Sequence, residues 1–397
     1  KNHGRAGGTQ AGKNAVFGTP VTLPSATTFT PPSGMRFLGW AETSTGTAIV
    51  GEYNPSVYSA TVTLYARWVR KTIAGNRFWT SIAMSSDGYK LAAVTNSPWG
   101  GGHIYTSTNG GETWVDRSTA GSAIGGNKRW NFIAMSSDGA ELAAVVYGGH
   151  LYTSTDSGET WVDRGTAGSA IAGNKLWISI AISSDGQKLA AAEYEGHIYT
   201  STDSGATWTE RTVAGSRNWY SIAISGNGQK LAAVVNSGHL YTSSDGGVTW
   251  VDRSTAGSAI AGSRNWYSIA ISGNGQKLAA VVNSGHLYTS SDGGVTWTDR
   301  STAGSAIGGN KRWNFIAMSS DGAELAAVVH GGYLYTSLNR GVSWTNRGAS
   351  ANSEIRGHRG WDSVVMSSDG SKLTAVIYGG HLYTSTDSGA TWRNRSE

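Results

Sequence analysis

A basic residue stands two positions before each of seven tryptophans that recur along the chain. The pairs are Arg77 and Trp79, Lys128 and Trp130, Lys175 and Trp177, Arg217 and Trp219, Arg264 and Trp266, Lys311 and Trp313, and Arg359 and Trp361. Further along six of these stretches a histidine recurs at a matching place, His103, His150, His197, His239, His286 and His381, and Tyr333 takes that place in the other. A cation, a flat indole and a hydrogen-bonding ring suit a sugar, whose apolar face stacks on Trp while Arg or Lys donates to hydroxyls or carboxylates. Asn131, Tyr220, Tyr267 and Asn314, directly after the tryptophan, add further polar contacts. The competing reading is structural: Trp wedges between sheets, the cation lies over its ring, and His caps a turn. A metal site is not expected, because each His belongs to a different stretch and no pair has ligand spacing.

Other chemistry is sparse. With no cysteine, disulfides, thiol nucleophiles and Cys-ligated metals are excluded. Glycoside hydrolysis needs two carboxylates about 5–10 Å apart in one cleft. Outside turn positions the irregular acids are Glu193, Glu195, Glu354 and Asp362, and near-identical repeats build an asymmetric catalytic constellation only with difficulty. The expectation is therefore a non-enzyme without a cofactor.

The elements that must position these residues are repeats. The opening tryptophans are followed by a second series at Trp114, Trp161, Trp208, Trp250, Trp297, Trp344 and Trp392, and residues 219–250 and 266–297 are identical. Within a unit, alternation and β-branched content predict four short strands at 266–272, 277–282, 286–290 and 297–300, punctuated by Gly-Asn-Gly, Asn-Ser-Gly and Ser-Asp-Gly-Gly. So small a sheet cannot bury both faces alone, whereas stacking units around an axis can. The expected fold is all-β, a seven-bladed β-propeller of four-stranded antiparallel blades spanning 79–397. Closure in register is expected, although residues 67–71 imitate a fourth strand feeding the first unit.

The third turn of every unit reads Ser-x-Asp/Asn-x-Gly-x-Thr/Ser-Trp, with Asn109, Asp156, Asp203, Asp245, Asp292, Asn339 and Asp387 at its centre. This resembles the Asp box, or BNR repeat, of sialidase-like propellers. An Asx turn tolerates the two asparagines and a catalytic carboxylate would not, so these positions read as structural. Sialidases of that fold carry an arginine triad commonly announced by Arg-Ile-Pro, which is absent here. The arginines closing each unit, Arg117, Arg164, Arg211, Arg253, Arg300, Arg347 and Arg395, read as a solvated edge protecting an exposed strand.

Residues 1–68 lack the repeat and are followed by a linker at 69–78. They contain Phe17-Gly18-Thr19-Pro20, Gly34-Met35-Arg36-Phe37-Leu38-Gly39-Trp40 and Thr63-Leu64-Tyr65-Ala66-Arg67-Trp68. That combination is similar to the Listeria-Bacteroides repeat, or internalin B-repeat. The resemblance implies a small β-grasp-like spacer or adhesion module on an extracellular or bacterial cell-surface protein. The net charge of +5 comes without any Lys/Arg run, so nucleic acid is not the expected partner. No apolar run approaches a membrane helix, and the polar residues 1–10 hold no secretory apolar segment, so the expectation from these residues is either a cytosolic protein or a leader outside this sequence. These readings converge on a monomeric recognition module whose partner is a glycan or another surface macromolecule, met through several weak sites on one face.

Overall fold

The computed structural model describes residues 21–22, 35–41, 52–53, 64–70, 75–98, 101–118, 122–126, 128–302, 304–349 and 353–396. The chain divides into two compact units, Lys1–Thr72 and Ile73–Glu397. In the first, Val21–Thr22 pairs antiparallel with Glu52–Tyr53, and Met35–Ala41 with Tyr65–Arg70. Trp40 is buried. The segments 1–14 and 17–20 fall outside the described residues.

The second unit is a succession of four-stranded antiparallel meanders. In the one that opens at Trp266, the strands are Trp266–Ile271, Leu278–Gly285, Leu287–Ser290 and Thr298–Asp299, each paired with the next. The second strand is the telling one. Its run Leu-Ala-Ala-Val-Val is buried throughout rather than alternating, because neighbouring sheets cover both of its faces. One apolar cluster accordingly joins Ala232, Val234 and Leu240 of one meander to Trp266, Leu278, Ala280 and Trp297 of the next. Small alanines at the middle of the strand let the sheets approach closely.

The succession closes on itself. Tyr378 and Gly380 of the last meander pair with Phe78 and Arg77 of the first, and Val376 and Leu382 pack with Trp79 and Trp114. Around the axis runs a circuit of main-chain hydrogen bonds, each N–H donating to the next carbonyl. It passes from Ser86 to Ser137, Ser184, Gly226, Gly273, Ser320 and Ser368 and returns to Ser86, every link 2.7–3.0 Å. Arg393–Asn394 supplies the outer strand of the last meander by pairing with Leu382–Ser385, while Tyr65–Arg70 stays with Met35–Ala41.

The third turn shows why its residues recur. The Ser290 hydroxyl donates to Asp292 Oδ1 and accepts the Gly294 N–H, and Asp292 accepts from the Thr296 N–H and hydroxyl. Trp297 Nε1 then donates to the Gly294 carbonyl. Gly294 has φ 85°, and a Cβ there would lie 2.8 Å from Thr242 Cγ2 of the preceding meander, so both conformation and closeness require glycine. Where Asn109 replaces the acid, its Oδ1 accepts the Thr113 N–H and its Nδ2 donates to the Thr113 hydroxyl, preserving the turn.

Candidate functional site

The opening tryptophans do not line a surface. Trp79, Trp130, Trp177, Trp219, Trp266, Trp313 and Trp361 are each 0% exposed, so the expected stacking of a sugar on these indoles is corrected. Each indole lies between consecutive sheets, covered by a tyrosine of the third strand in edge-to-face contact at 5.3–5.7 Å. The base expected over the indole lies over that tyrosine instead. Arg77, Lys128, Lys175, Arg217, Arg264, Lys311 and Arg359 sit 4.6–5.9 Å from the ring centres of Tyr105, Tyr152, Tyr199, Tyr241, Tyr288, Tyr335 and Tyr383.

Strand geometry assembles the rest of each station. His286 and Tyr288 are two residues apart and therefore share one face of their strand, and Asp299 is the register partner of Tyr288. His286 Nδ1 consequently lies 2.6 Å from Asp299 Oδ2, and Asp299 Oδ1 accepts the Ser301 N–H at 2.9 Å. The same pairing joins His103 to Asp116, His150 to Asp163, His197 to Glu210 and His239 to Asp252 at 2.6–2.9 Å. Both partners of these pairs are partly exposed, so five histidine-carboxylate pairs face solvent on one rim. On the opposite face of the strand, Arg300 Nε donates to Thr289 Oγ1 at 2.7 Å, as its counterparts do elsewhere. The closing arginines are thus half-buried staples, not a solvated edge, and the acid that precedes five of them, Asp116, Asp163, Glu210, Asp252 and Asp299, belongs to the station.

Sequence reasoning missed the tyrosines and these acids. The available signal was the constant thirteen-residue interval from His to acid, together with His-x-Tyr alternation on the third strand.

Three stations depart from the pattern. At Tyr199 the hydroxyl bonds to Glu193 Oε2 at 3.2 Å and Glu210 Oε1 at 3.0 Å, and Lys175 Nζ donates to it at 2.9 Å. Burial would raise Glu210, but the Tyr199 hydroxyl and His197 hold its carboxyl below the usual range. Tyr333 meets His358 edge-on at 4.5 Å, and Asn346 stands where other stations carry an acid. His381 faces Asn394 in place of an acid, and its Nδ1 is buried without a hydrogen-bond partner. Of the irregular acids, Glu195 is an exposed residue with φ 58°, and Glu354 accepts the Asn394 N–H.

Nearer the axis, the residues after the opening tryptophans form an inner ring: Thr80, Asn131, Ile178, Tyr220, Tyr267, Asn314 and Asp362, all partly exposed. The Tyr220 and Tyr267 rings lie 4.4 Å apart. One level deeper, Phe132 and Phe315, from meanders that are not neighbours, stack at 5.8 Å and so meet across the axis. Burial pushes the Asp362 carboxyl up to about 7, against the single bond from Asn314 that lowers it. Beyond the phenylalanines, the other mouth holds a cavity of about 160 Å³ lined by Met84, Met135, Met318, Met366 and the serines of the main-chain circuit. Among the described residues no three His, Asp or Glu side chains gather as a metal site, and no helix is long and apolar enough to cross a membrane.

No family model matches the sequence, and no curated protein does. Among solved structures, the chain is similar to YCF48 bound to a D1 peptide, with TM-score 0.57 and 16% identity over 79% of this chain and 95% of that one. It is similar to YCF48 from Cyanidioschyzon merolae at TM-score 0.56 and 15% identity, covering 79% and 97%. A GH74 enzyme of Niastella koreensis aligns at TM-score 0.42 and 18% identity, covering 83% of this chain and 56% of that one. The likeness to YCF48 shows the fold: the second unit is a β-propeller.

Proposed function

We propose that residues 77–396 form a seven-bladed Asp-box propeller that acts as a non-catalytic recognition module, docking an extended segment of another macromolecule on the rim that carries the stations. The observation that carries this reading is the station itself. A cation on a tyrosine and a histidine on a carboxylate, repeated at neighbouring blades and partly exposed, offer regularly spaced donors and acceptors to an extended chain. Their charges are largely matched within each station, and the carboxylates are occupied by His, Tyr or main-chain partners, which favours binding over acid-base chemistry. Burial of the indoles removes the stacking platform a sugar would use, so a peptide is preferred to a glycan as the occupant. A neighbour of the same fold solved with a peptide supports that choice by analogy alone.

The resemblance of the leading residues to the internalin B-repeat supports an extracellular or bacterial surface setting, with the first unit as a spacer and the protein monomeric. Peptide-array and glycan-array binding of the full chain, compared with a His239→Ala/His286→Ala variant, test the function. Peptide binding that weakens several-fold in the variant supports it. Glycan binding that falls instead restores the sugar reading, and sugar release abolished by Glu193→Gln points to a hydrolase built around Tyr199.

A further inference from the structure

The inner ring is where otherwise similar repeats diverge most: Thr, Asn, Ile, Tyr, Tyr, Asn and Asp succeed one another at a single position. Most of its polar members have a structural task. Thr80 Oγ1 donates to the Trp130 carbonyl, Asn131 Nδ2 to those of Trp177 and Ile178, and Asn314 Nδ2 to those of Trp361 and Asp362, each stapling its sheet to the next. An ionised carboxylate has no hydrogen to donate and cannot do this. Among the described residues, Asp362 accepts one hydrogen bond, from Asn314 Nδ2 at 2.9 Å, and no lysine or arginine is close enough to offset its burial.

Its other surroundings are aromatic. Tyr220 feels both Tyr267 and the Asp362 charge from across the axis, which raises its phenol further after burial has done so. One residue further along the inner strands, Phe132 and Phe315 stack at 5.8 Å across the axis and supply an apolar surface on that side. A desolvated anion beside tyrosine rings and an apolar surface is the complement of an alkylammonium ion, which brings a charge, donors for the carboxylate, and an apolar stem. We propose that this axial recess binds a primary alkylammonium group, with Asp362 as the counter-ion and Tyr220 and Tyr267 as its aromatic wall. This site stands whether or not the surrounding stations dock a peptide. The group has two possible sources, a lysine side chain of another protein or a free polyamine.

The test is calorimetric titration of the full chain at pH 8 with n-butylammonium, with n-butanol as the uncharged control. The expected result is saturable binding of the amine alone, weakened at least tenfold by Asp362→Asn. Asn131 and Asn314 occupy the same position in sister repeats, so the variant should fold, and circular dichroism confirms that before titration. No binding of n-butylammonium, equal binding of n-butanol, or unchanged affinity in the folded variant overturns the proposal. Tighter binding of Nα-acetyl-lysine amide than of spermidine assigns the site to a protein side chain, and the reverse assigns it to a free polyamine; either supports it.

Discussion

Asp362→Asn should stabilise this protein at pH 8 and leave its stability unchanged at pH 4. Burial pushes the carboxyl up to about 7 in the folded chain, against an ordinary aspartate value of 3.8. Between those values the folded state holds a proton that the unfolded state has released, so the unfolding free energy falls as pH rises through that window. A shift of about 3 units corresponds to roughly 4 kcal/mol at 1.36 kcal/mol per unit. Because the side chain is partly open to the recess, about half of that, roughly 2 kcal/mol, is the fairer figure. For a domain of this size, 1 kcal/mol shifts Tm by about 2 °C, so the variant should melt about 4 °C higher at pH 8. Calorimetric melting at pH 4, 6 and 8 measures the difference. Every other titratable group is common to both proteins and cancels in the comparison, and the groups facing Asp362 are Asn314, Tyr220 and Tyr267. An equal shift at every pH, or a lower Tm for the variant at pH 8, refutes the argument that desolvation of an uncompensated anion sets this carboxyl.

The turn acids should behave oppositely. Burial would raise Asp245, but the Thr249 hydroxyl and N–H and Ser243 hold it at about 2, so the stability it contributes is present above the unfolded value and lost as pH falls from about 4 toward 2. Asp245→Ala should cost about 1 kcal/mol in urea unfolding at pH 7, whereas Asp245→Asn should cost much less, as Asn109 and Asn339 already show the turn built with an amide. Gly294→Ala should destabilise by about 2 kcal/mol in the same assay, since it adds left-handed strain to contact with Thr242. Trp266→Ala should cost about 3–5 kcal/mol, read as a lower urea midpoint, through the cavity it opens between adjacent sheets.

Strand count, turn chemistry and radial stacking could be read from the sequence because each repeats with a fixed interval and each has a local cause. Ser290, Asp292, Gly294 and Trp297 are constrained by one hairpin, and that constraint is written within eight residues. The station was legible only in part. Arg264 and His286 could be picked out as recurrent, but their true partners, Tyr288 and Asp299, depend on which strand faces which, and pairing register is a tertiary fact. Assigning Trp266 to a surface failed for the same reason: an indole that recurs once per repeat serves equally as a wedge or a platform, and inter-sheet packing decides. Asp362 drew notice as an irregular acid, whereas its place opposite Tyr220 requires the ring to be closed before it can be seen.

The circuit of main-chain bonds from Ser86 back to Ser86 bears on how such a chain avoids mispairing. Copies as alike as 219–250 and 266–297 give nearly the same contact energy to a correct neighbour and to a sheet that has skipped one position, so side-chain packing proofreads order poorly. A chain that leaves a copy out has ends that do not meet, and its last link stays open. Completion of the loop, rather than any one pairing within it, is therefore the step at which correctly ordered molecules separate from scrambled ones.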